Sequence, residues 1–145
     1  MTRDELAALR ALRPAFNVLM REFDAELTRS HGISHTDYLV LMTLADADRR
    51  TMRLTDIAEV CQQSLSAISR SVGRLEQAGL VRKEQDSRDG RNWHAVLTPI
   101  GLRRFERAQV SHLDSVREHF LAYLDGVDVG ALARALERIA RQSAE

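Results

Sequence analysis

Apolar residues recur at helical spacing over the first thirty positions, at Leu6, Leu9, Leu12, Phe16, Leu19, Met20, Phe23 and Leu27, so one face of a long first helix is hydrophobic. Pro14 lies off that stripe and predicts a kink, and Gly32 predicts the helix end. Ser34, followed three residues on by Asp37, reads as a capping box. It opens a helix buried through Tyr38, Leu41, Met42, Leu44 and Ala45. Residues 55–61 predict a short helix capped by Thr55, with Ile57, Ala58 and Cys61 on its inner side. After the polar break Gln62-Gln63-Ser64, Ser64 is an N-cap for residues 65–78, whose inner stripe is Leu65, Ile68, Val72 and Leu75. Gly79 is a C′ glycine that ends this helix.

The pattern then changes period. Val81 to Gln85 and Trp93 to Leu97 contain β-formers, and residues 86–92 between them form a charged turn with an Asp-Gly step. A third short strand is expected near residues 52–54. Thr98 caps, and Pro99 starts, a long helix running to about Leu124. Its stripe is Leu102, Phe105, Gln109, Leu113, Val116, Phe120 and Leu124. Asp128 opens a last helix lined by Val129, Leu132, Leu136 and Ile139.

Helix, tight turn, helix and hairpin in that order make a winged helix-turn-helix. The outer face of the second helix of the pair is unusual. It carries Ser66, Ala67, Ser69, Arg70, Gly73 and Arg74, with Gln63 and Ser64 at its approach. Small side chains let a helix backbone sit deep in the major groove while arginines reach base edges or phosphates. At the hairpin tip, Asp86 and Asp89 are expected to position the guanidinium groups of Arg88 and Arg91, with Arg91 aimed at a minor groove. Gln63, Ser64, Ser66, Ala67, Ser69, Arg70, Arg74, Arg88, Asp89 and Arg91 are therefore the candidate DNA-binding residues. The unpartnered stripes of the terminal helices point to an isologous dimer.

Two segments resemble the MarR family of bacterial transcriptional regulators. They are LTDIAEVCQQSLSAISRSVGRLEQAGLV (54–81) and DSRDGRNWHAVLTPIG (86–101). The second is the more specific, matching the family's wing pattern at Asp86, Arg88, Asp89, Gly90, Arg91, Leu97, Thr98 and Gly101. The resemblance implies a mainly α fold with a small β-wing, in which residues 34–98 form the DNA-binding lobe of one unit spanning 1–145. Residues 1–33 and 99–145 would then form a helical dimerisation region. It also implies a homodimeric repressor of double-stranded promoter DNA, released by a small-molecule effector held near Phe16, Met20, His35, Tyr38 and Met42.

Composition refines this picture. Formal net charge is zero, with 21 Lys+Arg against 21 Asp+Glu, which argues against indiscriminate binding to polyanions. From Gln62 to Arg91 the balance is positive, six cations against four anions. Lys83 is the chain's only lysine, and an arginine-rich surface favours bidentate contacts. The single cysteine, Cys61, excludes an intrachain disulfide and fits a reducing compartment. With neither a secretion signal nor a long apolar run, a cytoplasmic location away from membranes is expected. No nucleophile, base and orienting acid fall together, and no glycine-rich phosphate loop is present, so neither an enzyme nor a cofactor is expected. His31 with His35, and His112 with His119, lack further ligands, so no metal is expected, and the second pair reads as surface or interface. Two other readings remain: a winged-helix protein-interaction module, and a redox-responsive regulator acting through Cys61, which instead reads as inert packing.

Overall fold

The computed structural model describes residues 1–142; the last three positions of the expected C-terminal helical region lie outside the described residues. The described residues form six α-helices and one three-stranded sheet. The first helix, α1, spans Arg3–His31 and opens with a capping box between Thr2 and Glu5. It runs on through Pro14, which lies inside the helix. Gly32 closes it in the left-handed region at φ 66°, where a side chain would be strained. The second helix, α2, spans His35–Asp46 and begins with the reciprocal Ser34 and Asp37 box.

Strand β1 covers Thr51–Arg53, one residue earlier than expected. Helix α3 follows immediately at Leu54–Cys61. Its N-cap is Arg53, whose side chain makes no capping bond, and Thr55 lies inside the first turn rather than at the cap. The α3 C-cap, Gln62, takes a left-handed φ of 54°, which makes the turn tight. Ser64 then accepts from the Ala67 amide at 3.1 Å to begin α4, Leu65–Gln77. Leu80 N donates to Leu75 O and Gly79 N to Glu76 O, the paired bonds of a Schellman ending, with Gly79 at φ 75°.

Strands β2 (Val81–Gln85) and β3 (Trp93–Leu97) pair antiparallel, with Val81 opposite Leu97 and Gln85 opposite Trp93. Strand β1 adds to the other edge of β3, giving the order β1-β3-β2. Helix α5 (Pro99–His119) leaves the sheet at Thr98, whose hydroxyl donates to Gly79 O at 2.7 Å and accepts from Gly101 N. Gly101 is required here: a Cβ on it would stand 2.0 Å from the Leu80 carbonyl oxygen. A single short stretch thus ties the end of α4, the base of the hairpin and the start of α5 together.

The core joins Leu27 of α1 and Leu41 and Leu44 of α2 to Ile57, Ile68, Val72 and Leu75 of the helix pair, and to Leu80, Ala95, Leu97 and Phe105. Burying such side chains contributes about 1.5 to 3 kcal/mol each before the entropy cost of ordering the chain. Two faces depart from expectation. Leu65 lies outside the core, exposed at the start of α4. On α5 the buried line is Gly101, Phe105, Ala108, His112 and Ser115, while Leu113 is exposed. The helix also ends at His119, short of Leu124. The core-facing line is therefore rotated from the purely apolar stripe, and it includes a histidine and a serine. Helix α6, Val129–Arg141, is capped by Asp128 and buries none of its residues.

Candidate nucleic-acid interface

Ser64, Ser66, Ser69 and Arg70 all lie exposed on α4, Ala67 is half-buried, and Gln63 stands exposed in the preceding turn. Hairpin residues Arg88, Asp89 and Arg91 are exposed as well. The two groups meet in a cleft of about 110 Å³ lined by Leu65 and Ser69 from α4 and by Arg91, Asn92 and Trp93 from the hairpin, with Arg53, Leu54 and Thr55 behind them. Arg91 therefore stands beside the exposed face of α4 rather than apart from it. The sequence reading missed Arg53, Leu65 and Trp93 as contributors to this surface; each had been assigned to a strand or a core stripe, or left without a role.

The hairpin tip is organised by its acids, though not as expected. Asp86 Oδ1 accepts from the Arg88 backbone amide at 2.9 Å, and Asp89 Oδ1 from that of Arg91 at 3.0 Å. The carboxylates shape the backbone and leave the arginine heads unpaired among the described residues. Such turns are the usual work of aspartate in loops. Asp86 N also donates to Asn92 O at 2.8 Å, closing the loop, and the Gln85 side-chain amide donates to Gly90 O.

Arg74 is a second correction. Its guanidinium does not share the outer face freely with Arg70, because Nη2 donates to Asp37 Oδ1 of α2 at 2.9 Å. Ser71 Oγ donates to the same oxygen at 2.6 Å, while Asp37 Oδ2 accepts from Ser34 N. Asp37 is 5% exposed, and a buried carboxylate is tolerable because these donors satisfy it. Other cations are similarly engaged. Arg82 pairs with Glu84 at 2.9 Å, and Lys83 Nζ sits 4.9 Å from the Trp93 ring centroid. Arg70, Arg88 and Arg91 remain without ion-pair partners among the described residues.

The five residues expected at an effector pocket do not converge. Phe16 is 57% exposed and lines an open groove with Leu9, Leu12, Arg13 and Asn17. His35 and Tyr38 instead join Phe23 and His112 in a packed aromatic cluster, with Tyr38 and His112 ring centroids 4.5 Å apart and Phe23 and His112 5.1 Å apart. Met20 and Met42 are half-buried, and Met42 packs against the core. His112 is 8% exposed and packed against Phe23 and Tyr38 within the chain, which corrects its reading as a surface or interface residue. Burial lowers the pKa of both imidazoles below the ordinary 6.5; the neighbouring His112 lowers that of His35 further, while Asp24 and Glu26 oppose the shifts at His35 and His112 respectively. Cys61 is half-buried, with its sulfur 3.5 Å from Thr43 Oγ1. Burial pushes its thiol above the usual range, only partly offset by that hydroxyl.

A helix pair with an exposed polar face, flanked by a hairpin whose tip arginines Arg88 and Arg91 make no ion pair among the described residues, defines a winged helix-turn-helix protein. The family model described as MarR family matches residues 31–92. Over nearly the whole chain, the fold is similar to that of AbsC, a MarR family transcriptional regulator from Streptomyces coelicolor. That match has 33% identity and a TM-score of 0.86, covering 99% of this chain and 97% of that one. Sco3205, a MarR family transcriptional regulator from the same organism solved in complex with DNA, is 30% identical. Its TM-score is 0.89, with 98% of this chain and 89% of that chain covered. The chain belongs to the MarR family. The HTH-type transcriptional regulator PrsX of Escherichia coli is 28% identical over 103 residues, covering 69% of this chain; the match spans 62% of the length of that relative.

Proposed function

We propose that this chain is a homodimeric, sequence-specific transcriptional regulator that lays α4 into the major groove of promoter DNA and sets its hairpin against the adjacent minor groove. The observation that carries the reading is the shared cleft of Arg91 and Ser69. One surface presents a small-faced helix beside an arginine that has no ion-pair partner among the described residues. Gln63, Ser64, Ser66, Ala67, Ser69 and Arg70 are the groove-facing set, Arg88 and Arg91 the hairpin cations, and Asp89 the group that shapes the Arg91 backbone. Arg74 acts from behind, through Asp37.

Apolar side chains left uncovered support the dimer. Leu9, Leu12 and Phe16 on α1 and Val129, Leu136 and Ile139 on α6 are all exposed in the single chain. Large apolar side chains left exposed along two helix faces suit an interface. In this reading residues 1–33 and 99–145 form the dimer arms and 34–98 the DNA-binding lobe. Two copies of α4 held about 34 Å apart would read a pseudo-palindrome with half-sites one turn apart. Occupying a promoter excludes polymerase, so the output is repression, relieved by a small molecule that favours a different spacing of the two lobes. No described helix is long and apolar enough to cross a membrane, and action on DNA places the protein in the cytoplasm.

Gel-shift titration against the intergenic DNA beside its own gene tests this, with unrelated DNA as competitor. Saturable, competitor-resistant binding that is weakened in Arg91→Ala is expected. Binding to no fragment would overturn the reading in favour of a protein-interaction module, and equal binding to every fragment would overturn its sequence specificity.

A further inference from the structure

Leu65 is the one large apolar side chain of α4 that is exposed, at 48%, although Ile68, Val72 and Leu75 of the same stripe are buried. Most other exposed apolar residues lie within 1–33 and 99–145, the segments proposed as dimer arms, whereas Leu65 lies in the DNA-binding lobe. Its position, more than its exposure, gives it a meaning. It is the first residue of α4 and stands four residues before Ser69, so the two share a side of the helix. Both line the cleft that also holds Arg91. Leu65 is thus an apolar group set in the surface proposed to meet DNA.

The first turn of α4 is held still and suits close approach to a polyanion. Ser64 Oγ accepts from the Ala67 amide and Ser64 O from the Ile68 amide, each at 3.1 Å, so the backbone around Leu65 is fixed from both sides. Helices α1, α2 and α3 each carry an acid in their first turn, and α4 carries none. The positive end of its dipole is therefore not offset by a local carboxylate. Asp56, the acid that follows Thr55 at the back of the cleft, is held by Arg53 at 3.2 Å. Ser66, Ser69 and Arg70 offer hydrogen bonds to base edges, which Leu65 cannot do. In the major groove only thymine adds an apolar group, its C5 methyl, to the hydrogen-bonding edge. Polar edge groups set against a leucine would lose water without gaining a partner.

We infer that Leu65 is a specificity-determining residue, packing against the C5 methyl of one thymine in each half-site of the operator. The inference rests on the proposed placement of α4 in the major groove. It adds to that placement an apolar contact that selects thymine over cytosine, beside the hydrogen-bonding contacts of the serines and Arg70.

Fluorescence anisotropy of the full chain on a synthetic duplex of the site footprinted beside its own gene tests this, with thymines replaced by deoxyuridine one symmetric pair at a time. Deoxyuridine keeps every hydrogen-bonding group of thymine and removes only the methyl. One pair is expected at which the replacement weakens binding about fourfold per half-site, the effect of one methyl group removed from contact. Leu65→Ala alters an exposed position and leaves the Ser64 cap and the buried stripe in place, and circular dichroism checks its fold. It should bind the thymine and deoxyuridine duplexes alike. Indifference of the native chain to every replacement would overturn the inference while leaving DNA binding itself intact. An equal penalty in Leu65→Ala would do the same, by assigning the methyl effect to another side chain or to DNA shape. Failure to bind any promoter fragment would overturn the proposed function and this inference together.

Discussion

Arg74 and Asp37 lie 2.9 Å apart across the junction of α4 and α2, although one was expected to face DNA and the other only to cap a helix. The carboxylate takes Ser71 and Arg74 on one oxygen and the Ser34 amide on the other, so α4 is fixed in rotation against α2 by a single buried acid. Asp37→Ala is expected to cost about 2 to 4 kcal/mol, from a lost capping box and two orphaned donors. Arg74→Ala should cost about 1 kcal/mol or less, because its head is more than half exposed to water. Urea unfolding of both variants checks the order; a larger loss for Arg74→Ala would contradict it.

Much of the fold was legible because local chemistry and tertiary packing agree. Ser34, Ser64, Thr98 and Asp128 all cap the helices expected of them, and both hairpin strands begin and end where the β-formers do. Failures occur where a side chain has two plausible environments. Leu65 fits the apolar period of α4, yet the first turn of that helix opens onto the cleft beside the hairpin. His112 was read from its spacing to His119, whereas its neighbours Ala108 and Ser115 are small enough for α1 and α2 to close over it. At the hairpin, charge density pointed to an exposed, turn-shaped tip. Only coordinates separate an aspartate bonding a backbone amide from one pairing a guanidinium.

Arg91→Ala should weaken binding to the specific promoter site by about 1 to 3 kcal/mol while leaving the circular dichroism spectrum and unfolding midpoint unchanged. Its backbone amide still bonds Asp89 in the variant, so the hairpin keeps its shape. Arg70→Ala should instead flatten the preference among operator variants. Fluorescence anisotropy at two salt concentrations distinguishes a base contact from a phosphate contact, because only loss of the latter makes the salt slope shallower.

The exposed apolar faces predict the assembly state. Leu12→Glu on α1 and Leu136→Glu on α6 place charges at positions that are exposed in the single chain, so neither should disturb the core. Both are expected to shift the protein from dimer to monomer in light scattering coupled to size exclusion, and to reduce operator affinity through lost bivalency. Dimers of unchanged stability in both variants would exclude these faces as the interface.

Stability should fall on acidification because of the imidazole pair. Both His35 and His112 have pKa values below the ordinary 6.5 in the fold, chiefly through burial. The unfolded chain therefore binds more protons, and stability is fully present above that value and declines as pH falls through it. Asp24 and Glu26 soften the effect without reversing it. His112→Phe keeps an aromatic ring against Phe23 and Tyr38 and removes one titrating group. Its urea midpoint should lose less than that of the native chain between pH 8 and pH 5; an equal loss would assign the decline to other residues.

Cys61 separates a packing role from a redox one. Its thiol is shifted upward by burial and touches Thr43 rather than a cation, so the thiolate that reacts with oxidants and alkylating agents is scarce at neutral pH. Iodoacetamide should modify the native chain much more slowly than the urea-unfolded chain, and Cys61→Ala should bind operator DNA as the native protein does before and after peroxide. The half-buried side chain fills space at the C-terminal end of α3, next to the turn that aims α4. A modest loss of stability with unchanged DNA affinity is thus the expected signature of Cys61→Ala. Peroxide that releases DNA from the native chain but not from this variant would instead establish the cysteine as a sensor.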